Sequence, residues 1–212
     1  MERIIPHVTN ETARLRAVVL GLPDSLGPIP TLQETYDAKS YEAVSHGVFP
    51  SEADVRHEMQ CVLDVLDRYG VRTLRPAQLT DYNQVFARDV AFTIDDTLFI
   101  SNLIPDRERE TEAFASSIFP LIDPAHIESL PEAVHTEGGD VLLYDDILFV
   151  GAYFGDDYSS FKTARTNRYA IDFFRERFPH KRVVPIELRK HDREPAKSVL
   201  HLDCAFQPVS RG

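Results

Sequence analysis

His135-Thr136-Glu137-Gly138-Gly139-Asp140-Val141-Leu142-Leu143-Tyr144-Asp145-Asp146-Ile147-Leu148-Phe149-Val150-Gly151 reads as a hairpin: an apolar run, an Asp-Asp turn, a second apolar run. Gly138 and Gly139 let backbone approach something closely just before the first strand, and Glu137 stands at that mouth. The same plan occurs upstream in Phe86-Ala87-Arg88-Asp89-Val90-Ala91-Phe92-Thr93-Ile94-Asp95-Asp96-Thr97-Leu98-Phe99-Ile100, whose Asp-Asp turn lies 50 residues earlier. A third start appears at His201-Leu202-Asp203-Cys204-Ala205-Phe206, where Asp203 to Phe206 mirrors Asp89 to Phe92. Self-similarity at this period points to one supersecondary unit repeated around an axis.

The rest of the chain fits such a unit. Arg16 to Gly21 reads as a buried strand, and Leu22 to Pro50 as a turn-rich excursion, a lid over a site. Ser51 is a good N-cap for a helix with an apolar stripe of Val55, Met59, Val62, Leu63, Leu66 and Tyr69, which Gly70 stops. Cys61 inside it is expected to be a small buried side chain. Val71 to Leu74 is the next strand. A hairpin from Val85 to about Ser101 leads to a helix over about Arg107–Phe119 and a strand at Ile127–Leu130. The second hairpin leads to a helix over about Thr166–Phe178 and a strand at Arg182–Ile186. Glu187 to Lys197 is charged and expected to be solvated, before a strand beginning near Leu200.

Composition narrows the function. The 212 residues carry a net charge of −11 with no basic stripe, so nucleic acid is an unsuitable partner. Two cysteines make no disulfide framework, no signal-peptide core opens the chain, and no apolar run reaches the ~20 residues of a membrane span. These features predict a cytoplasmic protein with no membrane partner; homodimerisation is left open.

Each repeat places polar groups just before its buried strand: Arg88 and Asp89, Glu137, then His201 with Asp203. Around a common axis these would converge on one cavity. Paired carboxylates suit a planar cation with several N–H donors, a guanidinium above all, and a histidine among them suits proton transfer. Taken singly, Asp89 is a turn residue and His201 a structural histidine. The repeated placement is what raises them. His201 and Asp203 could form half of a metal site, but no third His or Cys lies at ligand spacing, so no metal is expected.

At these residues the chain resembles the guanidino-group-modifying enzymes: arginine:glycine amidinotransferases, arginine deiminases and dimethylarginine dimethylaminohydrolases. Phe86-Ala87-Arg88-Asp89, Glu137-Gly138-Gly139-Asp140, Arg165-Thr166-Asn167 and His201-Leu202-Asp203 occur in the family's order, and the likeness runs from about Arg16 to the C-terminus. The resemblance implies an α/β fold, the pentein α/β propeller of ββαβ-type repeats around a pseudo-fivefold axis, here a single domain over 1–212. It implies that Asp89 and Asp203 hold a substrate guanidinium, that His201 is the general acid/base, and that Glu137 pairs with the guanidinium or orients His201. Arg88 and Arg165 become candidates for the carboxylate of an arginine-like substrate, and no cofactor is needed. The family's nucleophile is a cysteine near the C-terminus, well beyond the His-Leu-Asp motif. Cys204, next to Asp203 on an extended strand, would face away. The reading is therefore an amidinotransferase or C–N hydrolase working by covalent thiol catalysis, with its cysteine expected beyond residue 212 and the chain cut within the repeat that begins near 200. The alternative is a non-catalytic guanidinium-binding or scaffold protein on the same fold.

Overall fold

The computed structural model describes residues 3–155 and 160–209. Three units follow one another. The first is a parallel pair, β1 (Ala17–Val19) and β2 (Arg72–Leu74), joined by a long excursion that contains α1 (Ala38–Ser45) and α2 (Glu52–Arg68). The second places a one-turn helix α3 (Ala87–Val90) before the hairpin β3 (Ala91–Ile94) and β4 (Thr97–Ile100). Helix α4 (Arg109–Ser117) then leads to β5 (Ile127–Ser129), parallel to β4. The third repeats it with β6 (Val141–Tyr144), β7 (Ile147–Ala152), α5 (Arg168–Arg177) and β8 (Arg182–Glu187). The ββαβ unit expected from the repeat is therefore present twice, as two three-stranded sheets.

Local chemistry explains the elements. Ile94 pairs with Thr97 and Tyr144 with Ile147, so each hairpin turns on its Asp-Asp pair. Asp95 and Asp145 adopt φ of 54° and 53°, a left-handed conformation that a short polar side chain tolerates. Ser51 caps α2 in a capping box with Asp54, and Asn167 caps α5. The main core lies between the second and third units. Phe99, fully buried, packs within 5.6–6.2 Å of the rings of Phe92, Phe173, Phe174 and Phe178, which closes α5 over both hairpins.

The residues before β1 act as a strap. Val8 exchanges backbone hydrogen bonds with Asp95, Asp145 N–H donates to the Thr9 carbonyl, and Asn10 Nδ2 donates to Asp145 Oδ1 at 3.0 Å. Lys181 joins the same two turns from inside, with Nζ 2.7 Å from Asp95 Oδ1 and donating to the Asp145 carbonyl at 2.9 Å. Lys181→Met is expected to cost about 2 kcal/mol in urea unfolding. That is more than an exposed ion pair, because this ammonium is buried, and less than a wholly buried one, because Asp95 keeps contact with water. A loss under about 0.5 kcal/mol would remove the stapling role.

Three expectations need correction. The α2 stripe is only partly a core face: Met59 is buried, but Val62 and Tyr69 are exposed, and Cys61 is exposed with them. Residues 202–204 form a 3-10 turn rather than a strand. It corresponds to α3 and to the 3-10 turn Gly138–Asp140, the single turn that precedes the hairpin in the other two units. The segment from Glu187 to Lys197 is not simply solvated, since it carries Leu188 and Lys190 into the interior.

Candidate active site

Those three turns meet. A Cβ on Gly138 would lie 2.0 Å from the Arg88 carbonyl oxygen, and one on Gly139 2.8 Å from the ring of His201. Only glycine allows the three segments to come this close. Their approach brings together the residue before or within each turn: Asp89, Glu137 and His201, all buried. His201 Nε2 stands 2.9 Å from Glu137 Oε2, while Nδ1 is 3.7 Å from Asp89 Oδ1, too far for a hydrogen bond.

Two arginines complete the cluster. Arg165, predicted from the Arg-Thr-Asn motif, donates through Nη1 to both oxygens of Glu137 at 2.9 and 3.1 Å and through Nη2 to the Tyr36 carbonyl at 2.8 Å. Tyr36 belongs to the excursion, so that segment does reach over the site. Arg107 lies outside every sequence motif. Its Nη1 donates to Asp89 Oδ2 at 2.8 Å and Glu137 Oε2 at 3.2 Å, and its Nε and Nη2 clamp Glu110 at 2.7 and 3.0 Å. The signal available in the sequence was the Arg107–Glu110 spacing of three, which puts both on one face at a helix start.

The electrostatics follow from this geometry. Burial pushes the Glu137 carboxyl upward, but Arg165, Arg107 and the His201 hydrogen bond outweigh it and hold the group well below the ordinary carboxylate range. Burial would lower His201, yet Asp89, Glu137 and Asp140 raise it to about 9. Burial also lifts Glu110, more than Arg107 restrains it. Asp89, Glu110 and Glu137 thus face the guanidinium groups of Arg107 and Arg165 and the ring of His201. Ligand atoms of Asp89, Glu137 and His201 lie within 4.8 Å of one another, a spacing that could hold a cation. Arg107 already donates to both of those carboxylates, so a metal would compete with a fixed positive charge.

Not every predicted residue joins the cluster. Asp203 stands at its rim with Arg88, whose Nε is 3.4 Å from Asp203 Oδ2, and Arg88 also donates to the Val141 carbonyl. Burial raises the Asp203 carboxyl. Cys204 is exposed, its sulfur 3.6 Å from Asp203 Oδ1. Partial burial, with Asp203 beside it, pushes its thiol up, the opposite of what a thiolate nucleophile needs. Asp140 closes the Glu-Gly-Gly-Asp motif. It accepts from Thr166 Oγ1 at 2.6 Å and from the Leu202 N–H at 2.9 Å, tying the second turn to the third.

No family model matches the chain. It is 27% identical over 201 residues to the uncharacterised protein YkgA of Bacillus subtilis (strain 168), covering 94% of this chain and 62% of that one. Among solved structures it is similar to dimethylarginine dimethylaminohydrolase from Pseudomonas aeruginosa, a cysteine-to-serine mutant complexed with citrulline. The TM-score is 0.58 at 16% identity, over 84% of this chain and 63% of that one. It is equally similar, at TM-score 0.58 and 14% identity, to the inosamine-phosphate amidinotransferase of Streptomyces griseus, over 89% and 64%. The N-terminal domain of a cyanobacterial arginine dihydrolase, bound to its product, gives 0.58 at 15% identity over 82% and 58%. The chain thus spans less than two thirds of the length of these proteins. Its fold is the pentein α/β fold of the guanidino-group-modifying enzymes, as the motifs implied.

Proposed function

We propose that this chain carries the guanidinium-holding and proton-transfer part of a guanidino-group-modifying enzyme acting on arginine or a related compound. The observation that carries the reading is the convergence of Asp89, Glu137 and His201, from three separate repeats, in one buried cluster. A guanidinium already lies against two of these carboxylates, that of Arg107, which supports the match between this cage and a planar multi-donor cation.

The roles differ by environment. Glu137 is saturated by Arg165, Arg107 and His201, so it orients the imidazole and does not take substrate. Asp89 keeps Oδ1 outside any hydrogen bond to His201 and is the acceptor for the substrate guanidinium, with Asp203 at the rim as the second. His201 Nδ1, 3.7 Å from that Asp89 oxygen, is the acid/base nitrogen. Protonated at neutral pH, His201 acts first as an acid. A cysteine thiolate, supplied from beyond residue 212, forms a C–S bond to the guanidinium carbon. The C–N bond to the departing amine breaks, and that amine takes the His201 proton. Water or an acceptor amine then adds to the carbon, returns a proton to His201 and expels the thiolate; water's second proton goes to solvent as the C=O forms. Water makes the protein a hydrolase and an amine makes it an amidinotransferase.

The test is the protein translated from its whole coding frame, assayed with an arginine and methylarginine panel. Release of ammonia or methylamine, or transfer of the amidino group to glycine or lysine, is expected, with loss of at least 100-fold on His201→Ala. Turnover of none of these substrates sinks the enzyme reading. Calorimetric arginine binding sensitive to Asp89→Ala would then leave the binding-protein reading.

A further inference from the structure

The segment Arg189–Lys197 contacts the backbone before His201, the turn before Arg165 and helix α1 without contributing to the cluster itself. Lys190 is buried, and its Nζ donates to the carbonyls of Val199 at 2.9 Å and Leu200 at 2.8 Å, the two residues before His201. Val199 N–H closes the loop on the Arg189 carbonyl. On the other side of His201, the Leu202 N–H is held by Asp140. Two residues on, Asp192 accepts from the N–H groups of Lys162 and Thr163 and from the Thr163 hydroxyl at 2.9–3.2 Å. That turn presents Arg165, whose Nε donates to the Lys162 carbonyl. Arg193 then lies over the ring of Tyr41 on α1, 5.6 Å from its centroid.

We infer that Lys190 and Asp192 are positioning residues of this site, Lys190 fixing the backbone that presents His201 and Asp192 fixing the turn that presents Arg165. The inference rests on the reading of His201 as the acid/base. A buried ammonium is costly, and burial depresses its proton affinity. Two backbone carbonyls and the neighbouring Asp140 charge offset that cost, and in return the chain before His201 has one conformation. The tolerance is small. One ring nitrogen is at bonding distance from Glu137 and the other is 3.7 Å from Asp89, so a shift of about 1 Å breaks the first contact. Facing the ring are Asp89 from α3, Glu137 before the second turn and Asp140 within it.

The experiment is an imidazole NMR titration of His201 in the wild-type chain and in Lys190→Met, with amide exchange as a companion. In Lys190→Met the His201 midpoint is expected to fall by about one pH unit or more toward 6.5, as the ring leaves Glu137. Exchange of the Leu202 amide should speed at least tenfold while β6 and β7 amides stay as they were. Asp192→Asn should leave the His201 midpoint in place and speed exchange of the Arg165 Nε–H instead. If Lys190→Met fails to fold, Lys190→Arg decides: it keeps the charge but misplaces the donors, and the same shift is expected at smaller size. A His201 midpoint and Leu202 exchange matching wild type in the folded variant overturn the assignment. No substrate enters this titration, so absence of turnover would sink the proposed function without touching this result.

Discussion

Glu137→Gln is expected to lower the unfolding free energy by about 3–5 kcal/mol. The carboxylate is fully buried and accepts from Arg165, Arg107 and His201 together. Glutamine preserves the shape but removes the charge, leaving two guanidinium groups and an imidazolium to share Asp89 and Glu110. Its NH2 group would also present a donor where only donors converge. His201 should answer by releasing its proton, so its midpoint falls alongside the stability. Glu58→Gln on the exposed face of α2 is the control and should stay within about 0.5 kcal/mol of wild type. Urea unfolding near pH 6 measures both. A loss below about 1 kcal/mol for Glu137→Gln would mean that the buried charges are not organised around this carboxylate.

The second large effect is a loss of stability in mild alkali. His201 binds its proton more tightly folded, at about 9, than unfolded, near 6.5. Its contribution is therefore fully present below pH 6.5 and disappears as the pH rises through 9. By linkage the loss is on the order of 3 kcal/mol. Lys190 works in the opposite sense. Burial lowers its proton affinity, so the folded state regains stability as the pH climbs toward the ordinary lysine value. Subtracting the His201→Gln profile from wild type cancels such background groups. The difference should fall steadily between pH 6.5 and 9; a flat difference curve would show that the folded chain does not hold an imidazolium at this position.

Much of this architecture could be read from local chemistry. The Asp-Asp turns mark both hairpins, Ser51 and Gly70 bracket α2, and the paired glycines announce the close approach at Glu137. Asp89, Glu137 and His201 were found because three repeats put a polar group at the same point, a relation that survives without coordinates. Arg107 was hidden for the opposite reason. It stands in a run of alternating charge, Arg107-Glu108-Arg109-Glu110, which looks like a solvated helix start. Only the fold reveals that Arg107 and Glu110 turn inward while their neighbours turn out. Lys190 was hidden in the same way, in a charged segment whose one buried charged member carries no local mark. Arg88 and Asp203 illustrate another limit: motif position placed them in the site, but their pairing with each other at the rim depends on distances between repeats. The apolar stripe of α2 shows the converse, since helical periodicity reports that a face is apolar and not what covers it.

The strap formed by residues 4–11 has a consequence for the order of assembly. Asn10 is bonded to Asp145, 135 positions later in the chain. At roughly 5–20 residues per second of synthesis, the strap waits about 7–30 s before the second of its two turns exists. It is thus made well before its partners, and its docking is complete only once the second turn exists. Until the Asp95 turn is made, Ile4 and Val8 both lack their backbone partners, and a chaperone or a protease meets them before the hairpins do.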